Sequence, residues 1–247
     1  MRKIKKTTFI DWGDAEECPE EFAINNLRCN SPEFKSFYQI ERNKIKGKVF
    51  WAQYHKLQVG TRGMACPLRD GNNVVFLPTI PIPLDRAFMA AHELGHLVRR
   101  SENDYFAIWA KPGSSPVVVK NMLAINSMME DYRVNAILVK HGYDLKAEFG
   151  PILKNQMSIN SSSNYFPDEV VVKMVFVNHK LCCDLIGEDF QPWLDFETHL
   201  RSKFPELSKE IDKIYNLVKE NSFQTPEKKE LLLKTILEKH NKMFPHK

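Results

Sequence analysis

At 247 residues, 43% hydrophobic and 27% charged, the chain is long enough to bury a core and has an ordinary globular composition. The net charge of +4 resides in the tail. From Arg201 onward 11 Lys/Arg stand against 7 Asp/Glu, and before it 24 stand against 24, a density too low for a nucleic-acid site and without interleaved aromatics. Five cysteines, an odd number with no Cys-x-x-Cys spacing, argue against a disulfide framework or a cysteine zinc site and fit a reducing compartment.

The basic start Met1–Lys6 is not followed by an apolar run, so no signal peptide is expected. Residues 1–47 are polar and mixed, with a short helix expected within Pro32–Lys44. Val49–His55 reads as a strand, Asp70–Asn73 as a turn, and Val74–Leu77 as the strand that follows. The most apolar window, Val74–Ala91, is broken by Pro78, Pro81, Pro83 and Asp85-Arg86 and cannot span a membrane. A cytoplasmic protein is the expectation, with room for release on lysis or packaging into a virion.

Residues 86–100 are expected to form a helix, with Asp85 as N-cap and Arg99 and Arg100 suiting its C-terminal dipole. A loop, Lys111–Pro116, leads to a second helix at 121–140, where Met122, Ile125, Met129, Tyr132, Ala136 and Val139 recur at three-to-four spacing. The polar stretch 155–167 reads as a loop, a lid or a linker. Four helices are expected beyond it: Asp168–Ile186, Pro192–Phe204, Pro205–Asn221 and Pro226–Met243. No internal repeat is visible. The fold class expected is α+β, mostly α-helical, with a core over 1–154 and a helical C-terminal subdomain over 168–247.

Within the first of these helices runs His92-Glu93-Leu94-Gly95-His96. Positions i and i+4 share a helix face, so His92 and His96 can offer two imidazole nitrogens to one metal ion. Glu93 then reaches the open side, where it can serve as a base to a metal-activated water. The same pentapeptide also arises on solvated surface helices. Here the surroundings are apolar (Phe88, Met89, Ala90, Ala91, Leu94, Leu97, Val98), and two His and a Glu buried among them need partners that a metal supplies. Gly95 weakens the helix by about 1 kcal/mol relative to Ala, which signals a close approach by another segment.

A catalytic zinc takes a third protein ligand. The second helix carries an adjacent acidic pair, Glu130-Asp131, and periodicity alone does not choose between them. No other residue is singled out as catalytic. Tyr132, His141, Tyr143, Tyr165 and His179 are available to bond an oxyanion, but packing or surface roles suit them better.

These residues carry a resemblance to zincin metallopeptidases. The metzincin pattern is excluded, because its glycine and third histidine fall on Arg99 and Glu102. The arrangement resembles the gluzincins instead, in which a later helix donates a Glu ligand. Ala91–Leu97 is also similar to small intracellular metallopeptidases associated with phage-repressor cleavage, and Met129–Asn135 resembles a Glu-Asp-x-Arg segment of predicted metallopeptidases in bacterial and phage genomes. Together the matches cover residues 74–140. The resemblance implies a zincin-like metallopeptidase core, Zn²⁺ as cofactor held by His92, His96 and Glu130 with Asp131 as the alternative, and Glu93 as general base in hydrolysis of a peptide or protein. It also implies that the strand before the metal helix borders the cleft and receives an extended substrate by strand addition. The chain departs from the thermolysin pattern at Val134, where that pattern has an Asp, leaving Asn135 or Asn126 to support the third ligand. The competing expectation is a catalytically silent zincin-fold protein that binds a partner.

Overall fold

The computed structural model describes residues 15–54, 63–68, 70–161, 170–187 and 189–238. Among them the chain is mostly helical, with a single four-stranded sheet, an α+β architecture. It divides into two compact units, and the division falls within one helix: the first comprises Met1–Tyr105 with Val134–Tyr143, the second Phe106–Arg133 with Asp144–Lys247, as far as the described residues go.

The first unit opens with strand β1 (Glu16–Cys18), helix α1 (Glu20–Asn30) and helix α2 (Pro32–Glu41). Ser31 caps α2 by accepting from the Phe34 backbone amide, and Pro32 occupies the first turn, where its missing N–H costs nothing. Neither β1 nor α1 is evident from sequence. β1 is three residues long, and only Ala23, Ile24 and Leu27 of α1 are buried.

Strands β2 (Val49–Gln53), β3 (Met64–Pro67) and β4 (Asn73–Leu77) complete the sheet in the order β1-β2-β4-β3. β4 pairs parallel to β2 and antiparallel to β3, and all five of its residues are buried. Its side chains alternate between two clusters, as period-two geometry requires. Val75 and Leu77 join Trp51 and the helices, while Val74 and Phe76 join Ala52 on the opposite face. This corrects one expectation. The strand at Val74–Leu77 is central and has both edges occupied, so it cannot accept a further strand. Among the described residues the edge positions belong to β1 and β3, and it is β3 that packs beside the next helix.

That helix is α3 (Ala87–Ser101). A 3-10 turn, Leu84–Arg86, precedes it, so Asp85 lies inside the turn instead of capping the helix, and α3 begins without a side-chain cap. Arg99 also differs from expectation. It is buried, and its guanidinium donates to the Asp104 carboxylate at 2.9 Å and to the Asp104 carbonyl, pinning the chain as it leaves the helix. Ten of the fifteen α3 residues are buried, so the helix is enclosed on nearly all sides. Its Gly95 meets Val134: a Cβ built on Gly95 would stand 2.5 Å from Val134 Cγ1.

Helix α4 (Pro116–Lys140) is one unbroken rod whose last residues belong to the first unit. In the second unit, α4 is followed by α5 (Leu145–Ser161), α6 (Val170–Ile186), α7 (Gln191–Lys203), α8 (Pro205–Glu220) and α9 (Pro226–Leu237). Within the described residues the last four match the expected C-terminal helices closely; 168–169 and 239–243 of the expected spans lie outside those residues. α5 does not: residues 155–161, expected as loop, continue the helix, and 162–167 lie outside the described residues. Phe149 and Leu153 are buried on α5, and that burial outweighs the poor helix propensity of its polar end. Cys182 and Cys183 are buried and reduced on α6. No helix among the described residues is long and apolar enough to cross a membrane.

Candidate metal centre

One turn of α3 places His92 and His96 side by side, with ring centroids 4.8 Å apart and planes at 86°. Their Nε2 atoms face each other at 3.2 Å. Two nitrogens bound to one tetrahedral zinc at about 2.0–2.1 Å stand about 3.3 Å apart, so this spacing suits a shared cation.

His92 is held from behind. Its Nδ1 lies 3.0 Å from Asn135 Oδ1, and an amide oxygen only accepts, so Nδ1 carries the proton and Nε2 presents its lone pair. Phe88, one turn earlier on α3, lies against the same ring at 5.9 Å between centroids and is itself braced edge-on by Tyr143. Asn135 thus supports a histidine and not the third ligand that sequence reasoning had in view. Asn126, the other candidate for that role, clamps the backbone of Ile108 through both ends of its amide, at 2.8 and 2.9 Å.

The acidic pair divides. Because α4 is continuous, Asp131 sits one turn before Asn135 on the same helix face. Asn135 holds His92, so Asp131 stands on the face of α4 that carries the histidine's support. The Asp131 carboxylate is oriented by Ser127 Oγ at 2.7 Å and Asn178 Nδ2 at 3.4 Å, both on Oδ2. Glu130, preferred from sequence as the third ligand, has partners of its own. It is fully buried, and its Oε1 accepts from the Phe106 backbone amide at 2.6 Å, with Arg133 Nη1 at 3.5 Å. Neighbours on a helix point about 100° apart, so Asp131 can share the face of Asn135 while Glu130 anchors the segment entering α4.

Glu93 is 8% exposed, whereas both histidines are half-buried. Gly63, just before β3, forms part of its wall: a Cβ there would lie 2.9 Å from Glu93 Cγ and 3.0 Å from its Oε1. Gly63 was missed in the sequence because nothing local marks it. Cys66 of β3 is near enough for the Glu93 charge to act on it; burial, chiefly, and then Glu93 push the thiol up to about 11, so it stays protonated and unreactive.

The remaining polar candidates have structural partners. His141 joins Glu41 at 3.2 Å and Ser36 at 3.1 Å, the Tyr143 hydroxyl donates to the Ala87 carbonyl, and His179 is buried against Phe149 and Phe176. Tyr132 is half-buried, and Tyr165 lies outside the described residues.

The donor set of two imidazoles and one carboxylate suits Zn²⁺ and suits Mg²⁺ or Ca²⁺ poorly, since those prefer all-oxygen shells. No protein-family model matches the chain, and no curated protein or solved structure matches it.

Proposed function

We propose that the chain is a zinc-dependent metallopeptidase with a zincin-like core, in which His92, His96 and Asp131 hold the metal and Glu93 is the general base. The observation that carries this reading is the convergence of His92 Nε2 and His96 Nε2 at 3.2 Å, with a carboxylate next in sequence to the first histidine. A purely structural zinc has no use for such a base and closes its fourth position with another protein ligand. When bound, zinc would supply Lewis acidity, lowering the pKa of a water and stabilising the oxyanion.

The chain's own residues have distinct tasks. Asn135 holds His92 in the tautomer that presents Nε2. Ser127 and Asn178 aim the Asp131 carboxylate. Glu93, walled by Gly63, takes the water's proton and delivers it to the leaving amine. The peptide lies extended along β3, the edge strand beside α3, and adds to the sheet there.

The test is hydrolysis of unfolded protein and peptide-library substrates by the zinc-loaded chain, compared with Glu93→Gln. Cleavage that a chelator abolishes, that zinc restores and that Glu93→Gln lacks supports the proposal. Cleavage unaffected by the substitution refutes Glu93 as base. Zinc binding with no cleavage of any substrate would favour the partner-binding reading.

A further inference from the structure

None of the metal-site residues lines a cleft of about 520 Å³ between α1 and α2 in the first unit, a volume within the roughly 300–1,000 Å³ usual for small-molecule sites. Three cations line it: Arg28 from α1, Lys35 from α2, and Arg42 from the 3-10 turn that follows α2. They stand against one lining carboxylate, Glu20, an excess of two positive charges.

Glu20 is already well supplied with donors. It accepts from Arg42 Nε at 3.3 Å and Trp51 Nε1 at 3.2 Å, and the Tyr38 hydroxyl bonds to it as well. Burial, and then Glu20, push Tyr38 up to about 12, so the phenol remains a neutral donor to that carboxylate and not an acid or base. Among the described residues only Nε of the Arg42 guanidinium is taken up, which leaves the two terminal nitrogens for a ligand.

Arg28 is pre-oriented by its place over the Tyr38 ring, 5.4 Å from the centroid. Its ion pair with Glu21, at 2.6 Å, is a surface pair of side chains 39% and 74% exposed, a kind that yields readily to a better oxyanion. Lys35 is exposed and makes no ion pair among the described residues. The amides of Asn25 and Gln39 add neutral donors and acceptors to the same walls.

We propose that this cleft binds a small organic dianion, a phosphate monoester or a dicarboxylate. The two guanidinium groups and Lys35 take the charge, since planar forks match the oxygens of phosphate and carboxylate alike, and the amides take the polar body. This site is independent of the metal centre and does not rest on peptidase activity.

The test is calorimetric and NMR titration of the full chain with ribose 5-phosphate, succinate, inorganic phosphate and uncharged ribose. Ribose 5-phosphate or succinate should bind saturably below about 1 mM, ribose should not, and the tighter of the two identifies the ligand as a phosphate monoester or a dicarboxylate. Arg28→Gln with Lys35→Gln, both at the surface, should weaken binding about tenfold or more while leaving the melting temperature and zinc content unchanged. Failure of both organic anions to saturate, inorganic phosphate binding as tightly as ribose 5-phosphate, equal binding of ribose, or affinity indifferent to the double variant would each overturn the proposal.

Discussion

Asp131 and Glu130, adjacent on α4, should fail in opposite ways when truncated. Asp131→Ala removes the carboxylate proposed as third ligand, one turn before Asn135 on α4. Structural zinc sites bind by about 10–16 kcal/mol over four ligands, so one ligand's share is about 2.5–4 kcal/mol, a loss of roughly two to three orders of magnitude in zinc affinity. Thermal stability without metal should change little, because Asp131 is half-buried and its partners Ser127 and Asn178 can turn to water. Glu130→Ala instead strips the acceptor from the buried Phe106 amide and the counter-charge from Arg133. An orphaned buried donor costs about 1–3 kcal/mol and the 3.5 Å pair with the partly exposed Arg133 adds about 1, so the unfolding free energy should fall by roughly 2–4 kcal/mol. Zinc affinity should hold at temperatures where the fold survives. The assay pairs chelator-competition zinc affinities with urea unfolding of the metal-free proteins. A Glu130→Ala protein of normal stability that has lost zinc, beside an Asp131→Ala protein that keeps it, would refute the assignment.

The wild-type chain should hold about one zinc, since His92 and His96 offer one pair of converging nitrogens; elemental analysis with His96→Ala as control checks this, and equal zinc in both would remove the site. Gly95→Ala should destabilise by roughly 1–3 kcal/mol, because the new methyl falls 2.5 Å from Val134 Cγ1 in a packed helix contact. Adding Val134→Ala should restore part of the loss in the same unfolding experiment, and a fully stable single variant would contradict the contact. Burial pushes His179 down from 6.5 to about 4, so the folded chain binds fewer protons than the unfolded one between those values. Stability from this group is therefore complete above pH 6.5 and declines as pH falls towards 4, by up to roughly 3 kcal/mol. His179→Phe should flatten that slope, and an unchanged acid profile would show that other groups set it.

Much of the candidate site was legible because it is local. Helix periodicity alone puts His92 and His96 on one face and Glu93 beside them. A chain of apolar neighbours predicted an enclosed helix, and Gly95 announced a close approach that proved to be Val134. Pro192, Pro205 and Pro226 marked the starts of three C-terminal helices, because a first turn tolerates a missing N–H. What the sequence could not express is the rotation of one element against another. Glu130 and Asp131 are both acidic and adjacent, and only packing decides which of two directions 100° apart is enclosed against the Phe106 amide. β3 was invisible for a related reason: four residues with a Cys and a Pro carry no strand signal until β4 offers its backbone. Once β3 pairs, the strand that reads most clearly in the sequence becomes the interior one, and the edge passes to the strand that reads least. Helix α5 likewise outlasts its own propensity because Phe149 and Leu153 are buried. Local spacing determined which residues could act together, whereas tertiary packing, by choosing faces and edges, decided which of them meet.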